Sequence, residues 1–226
     1  MGKSTRLLVR LAAQVGAAVT LLTTAPFATA HDLQRELNTL ITEFDAAQFG
    51  VADPDAKALA LNAVHRHAVA LEKQYPNHGE PLCWQGWALI AQSRIGQNFS
   101  AVEQNQEALR RFEAAIAIDP DVYAGAPQAT LGELYVFGSL FPFPMIFGGK
   151  EKGRAYFLQA VKLNAKGLET NLPYARFLFN EKDFTGALQY ATAAAISPPL
   201  QNRPKADRAL REEAKKLVVG SFTPNR

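Results

Sequence analysis

The sequence predicts an all-α fold, and three observations carry that expectation. Beyond residue 30 no run sustains the period-two alternation of a half-buried strand. Apolar residues recur instead at spacings of three and four, as in Leu33, Leu37, Leu40, Ile41 and Phe44. Small and aromatic residues also return in the same order along alternate helical stretches, each time ahead of a break that often holds a proline.

Residues 1–30 read as a removable export signal. Lys3, Arg6 and Arg10 precede an apolar stretch from Leu11 to Phe27, and Ala28-Thr29-Ala30 forms a small-x-small cleavage site. The competing reading is an uncleaved anchor. Gln14, three threonines and Pro26 interrupt the stretch, however, and it falls short of the roughly 20 residues that span a bilayer. The expected mature chain is a single domain over residues 31–226, starting at His31 and located in the periplasm. The cleavage point has no cysteine to carry a lipid, and no later run is long and apolar enough for a membrane span.

The helices follow in order. A first runs from about Asp32 to Phe49. Asp53-Pro54 opens a second, because Asp accepts from free N–H groups and proline at the first position needs no partner. It ends before Pro76. A third, from Pro81 to about Ile95, carries Trp84, Trp87, Ala88 and Ala91. Ser100 with Glu103 forms a capping box for a fourth, which ends at Asp119-Pro120. Leu131-Gly132-x-x-Tyr135 marks a fifth. A sixth carries Gly153, Phe157 and Ala160; a seventh and eighth lie between Leu168 and Pro199. The last, from Pro204 to about Val218, presents Ala206, Leu210, Ala214 and Leu217 as a narrow stripe among charges, as a terminal cap requires.

Second-helix slots align as Val64, Ala68, Leu71; Ala108, Phe112, Ala115; Gly153, Phe157, Ala160; and Ala187, Ala191, Ala194. Small residues there let paired helices approach closely while aromatic neighbours fill the groove. The first two intervals between units are about ten residues longer than the last, so insertions are expected in helices or in loops. An irregular helical bundle is the alternative.

These slots, with Tyr174, Ala175, Leu178 and Pro199 in the last unit, resemble the 34-residue tetratricopeptide unit. With Gly148-Gly149 they also resemble, more narrowly, the T component of TRAP-type transport systems. The resemblance implies a tetratricopeptide-like solenoid of antiparallel helix pairs with a C-terminal capping helix. In its narrower form it implies a periplasmic protein with an internal pore or groove, associated with a substrate-binding protein.

The candidate binding residues are aromatic or apolar. Trp84, Trp87 and Tyr135 combine large apolar area with a polar tip. Phe141, Phe143, Met145 and Phe147 sit on a connector stiffened by Pro142 and Pro144. That connector reads either as a plug for the concave side or as a lid for an apolar ligand or peptide. Both tryptophans and Tyr135 equally suit a core.

Several function classes lose support. The leader holds three of the 24 basic residues and none of the 21 acidic ones, leaving 21 of each. A near-neutral chain lacks the concentrated cationic face that nucleic acid requires. His65 and His67 are two apart, which on a helix points them away from each other, so no metal or cofactor is expected. No nucleophile with a base and no carboxylate pair stands at a catalytic spacing. The single cysteine, Cys83, sits between Leu82 and Trp84 and reads as a buried thiol. The expectation is a non-catalytic binding or scaffold protein that holds a protein or peptide on its concave face. The alternative is a pore or pocket for a small apolar solute beside a TRAP-type transporter.

Overall fold

Local capping sets the helix starts. Asp53 Oδ1 accepts from the Ala56 N–H at 2.8 Å, and Asp183 Oδ1 accepts from the Gly186 N–H at 2.9 Å, each satisfying a donor the helix leaves free. In the computed structural model, which describes residues 30–96, 99–137 and 149–222, these caps open two of nine α-helices. No strand occurs among the described residues. The expected export signal, save its last residue Ala30, lies outside them, as do Phe141, Phe143, Met145 and Phe147.

The helices are α1 Ala30–Gly50, α2 Pro54–Gln74, α3 Gly79–Gly96, α4 Phe99–Ile118, α5 Ala126–Phe137, α6 Gly149–Leu163, α7 Leu168–Asn180, α8 Phe184–Ala195 and α9 Pro204–Phe222. Each odd helix from α1 to α7 packs on the next even one. Ser93 meets Asn105 while Gly86 faces Phe112, so α3 and α4 run antiparallel. Gly132 faces Phe157 and Val136 faces Gly153, so α5 and α6 do the same.

Every slot read from the sequence on α2, α4, α6 and α8 is buried. Ala108, Phe112, Ala115, Phe157, Ala160, Ala187, Ala191 and Ala194 are wholly inaccessible, because these small faces lie against the partner helix. The two longer intervals have different causes. Between the first two units the helices themselves are longer: α3 has 18 residues and α4 has 20, against 13 in α7 and 12 in α8. In the next interval part of the added length lies in the connection from Asp119 to Gly125 ahead of α5, and residues 138–148 lie outside the described residues.

At Gly132 the close approach is tight. An added Cβ would lie 2.6 Å from the Phe157 ring and 3.0 Å from the Gly153 carbonyl oxygen. Phe157 is fully enclosed and has nowhere to swing. Gly132→Ala is therefore expected to destabilise the fold by about 1–3 kcal/mol, read as a lower urea midpoint at unchanged slope. An unchanged midpoint would show that α5 and α6 are less closely packed than this.

Between α4 and α5 the chain turns sharply. Tyr123, Ala124 and Gly125 have φ of +47°, +46° and +91°, a left-handed run that glycine alone adopts without steric cost. Tyr123 is held there because its hydroxyl accepts from Trp84 Nε1 at 2.7 Å and its ring packs on Trp84 and Trp87. Burial raises the Tyr123 pKa strongly and keeps the phenol neutral. Cys83 is buried as expected, and burial pushes its thiol well up, with Glu80 and Asp119 adding to the effect.

Candidate functional site

The odd helices form an inner layer. Together with α9 they line a half-open cavity of about 160 Å³, and α2, α4, α6 and α8 contribute nothing to its lining. Its apolar part comes from Phe44 and Phe49 of α1, Trp87 and Ile90 of α3, Leu168 and Leu172 of α7, and Leu210 of α9. Its polar part comes from Gln48, Arg94, Thr130, Glu133, Glu169, Arg176 and Arg203. This is an amphipathic, half-open cavity, bounded on one side where α9 packs against α7 and α8 and also against α1.

Two arginines tie these inner helices together. Arg203, just before α9, donates through Nε to Asp45 Oδ1 of α1 at 3.1 Å and through Nη1 to Glu169 Oε1 of α7. Its guanidinium also lies 5.5 Å from the Trp84 ring, within cation–π range. Arg176 of α7 donates through Nη1 to Glu133 Oε1 of α5 and through Nη2 to Glu213 Oε2 of α9 at 2.8 Å. Burial works against both charges, but the paired carboxylates outweigh it and raise both pKa values above the ordinary arginine range. Each guanidinium thus joins two carboxylates from different helices.

Of the residues singled out from the sequence, Trp87 reaches the cavity. Its indole N–H donates to Thr130 Oγ1 at 3.1 Å, so the ring presents apolar surface and no free donor. Trp84 lies behind it, 2 % exposed, with ring centroids 4.8 Å from Trp87 and 5.3 Å from Phe44. Tyr135 is elsewhere, buried against α6, where it stacks on Tyr156 at 5.4 Å and its hydroxyl lies 2.9 Å from Glu113 Oε1 and 2.6 Å from Lys152 Nζ. Burial, helped by the Glu113 charge, pushes its pKa up to about 12.

The charged wall was not foreseen from the sequence. Glu133 and Arg176 each sit just after a small packing residue, Gly132 and Ala175, on a first helix of a pair. Residues between packing slots on such helices face inward, and that register is the signal from which they were readable. Among the described residues no three His, Cys, Asp or Glu side chains converge as metal ligands would. No described helix is long and apolar enough to cross a membrane.

The class so defined is an all-helical protein with a half-open amphipathic cavity between helices α1, α3, α5, α7 and α9. No family model matches the chain, and a comparison with curated proteins finds no significant match.

Proposed function

We propose that this chain is a non-catalytic, exported binding protein whose tetratricopeptide-like units curl into a closed solenoid and hold a small amphipathic solute in the internal cavity. The observation that supports this most is the half-open amphipathic cavity of about 160 Å³ that the odd helices and α9 line together. A cavity of about this volume takes one small molecule near the size of benzene, whereas a peptide needs a longer groove. The pocket reading is therefore preferred to capture of a peptide on the concave face. A role beside a TRAP-type transporter, with a substrate-binding protein as partner in the periplasm, accords with a solute pocket and with the expected export signal.

Native mass spectrometry of the mature protein from the exported fraction tests this. A reproducible small-mass adduct that is lost on mild denaturation is the expected result. A bare chain, or one carrying another protein, would replace the pocket reading with the scaffold reading.

A further inference from the structure

Resting on the pocket reading, we infer that the solute is a small amphipathic anion, a carboxylate on a compact apolar or aromatic body, held through Arg94. Three guanidiniums line the cavity, those of Arg94, Arg176 and Arg203, against two carboxylates, Glu133 and Glu169. Both carboxylates are already taken. Arg176 holds Glu133 and Arg203 holds Glu169, and each arginine also pairs with a carboxylate from outside the lining, Glu213 and Asp45. Those second partners leave neither guanidinium a charge to offer a ligand.

Arg94 is different. It stands in the last turn of α3, exposed at the cavity wall, and forms no hydrogen bond or ion pair with a described residue. All 21 acidic residues of the chain lie in the described segments, so the chain supplies Arg94 with no side-chain carboxylate. The macrodipole of α3 favours a cation in that turn, yet the same side chain borders a largely apolar pocket. The rest of the wall offers Phe44, Trp87, Ile90 and Leu168, apolar surface for one ring or a short branched chain. A guanidinium fork matches a carboxylate through parallel N–H···O bonds, which are stronger than bonds between neutral groups, and low-polarity walls strengthen them further. An ammonium would instead meet Arg94 as a like charge and find both lining carboxylates engaged. The neutral polar groups set no sign. Thr130 Oγ1 is engaged with Trp87 Nε1 and the Ala126 carbonyl, and Gln48 Oε1, buried without a partner, is an uncharged acceptor that a hydroxyl on the ligand body would satisfy.

Isothermal titration of the full mature chain at low ionic strength with benzoate, benzyl alcohol and benzylamine tests the charge, since all three share one ring. Saturable binding of benzoate, at least about tenfold tighter than either competitor, is expected. Arg94→Gln should weaken benzoate by about tenfold, leave benzyl alcohol unchanged and keep the urea midpoint in place, because no described residue pairs with that side chain. Arg94→Lys, which keeps the charge without the fork, should recover part of the loss. Preference for benzylamine, equal binding of the alcohol, or a benzoate affinity untouched by Arg94→Gln overturns the anion assignment and leaves the pocket standing. Failure of all three probes also overturns it, and the adduct experiment then tells separately whether the pocket reading survives.

Discussion

Trp84→Ala is expected to destabilise the protein by about 3–5 kcal/mol. The side chain is 2 % exposed and bridges two parts of the core, because Phe44 of α1 packs on one side and Trp87 and Tyr123 on the other. Alanine would open a cavity the size of an indole in an interior that relaxes only partly. It would also strand the buried Tyr123 hydroxyl, whose partner is Trp84 Nε1, and release the contact that holds Tyr123 at positive φ. Trp84→Phe separates the effects by retaining most of the volume and removing the hydrogen bond. It should cost about 1–3 kcal/mol. Denaturant unfolding followed by far-UV circular dichroism reads both. Equal losses for the two variants would mean that the hydrogen bond, not the packing, dominates.

Arg203→Ala should be as severe, at about 3–5 kcal/mol, for an electrostatic reason. Removing the guanidinium leaves the Asp45 and Glu169 carboxylates facing one another in a poorly solvated setting with no counter-charge. The loss should be concentrated where α9 meets α1, so amide exchange ought to quicken in those helices first. The combined variant Asp45→Leu, Arg203→Met, Glu169→Met removes all three charges together and should recover most of the stability, since apolar replacement of a buried ion group is often neutral. Failure to recover would show that geometry, beyond charge compensation, is what Arg203 supplies.

Much of the helical architecture was legible before any coordinates. The cap at Asp53, the proline that opens α2, and the buried slots from Val64 to Ala194 are local or periodic signals. They survive folding because a helix needs its small and aromatic face covered whatever covers it. Helix α9 extends to Phe222, past the expected end near Val218. Helix ends are decided by weak competing interactions, and the next proline after Pro204, where the helix starts, is Pro224.

The site was legible in part. Trp87 was chosen for the chemistry of its side chain and lines the cavity, but Trp84 and Tyr135 were chosen on the same ground and are buried elsewhere. An aromatic side chain suits a core and a pocket equally well, so composition alone does not separate the two. Glu133, Glu169, Arg176 and Arg203 look from the sequence like ordinary solvated charges; the register of Glu133 and Arg176 beside small packing residues marks their side of the helix, and only the long-range fold says what faces it.

Local periodicity is written in neighbouring residues, and so the chain's order of residues was enough to establish the helices, their packing faces and their order. The cavity and its charge balance depend on long-range closure. Asp45 and Arg203 stand 158 positions apart, and they meet because α9 folds back onto α1. That meeting turns surface-like charges into a buried wall, where the low polarity of the surroundings makes each unshared acceptor count.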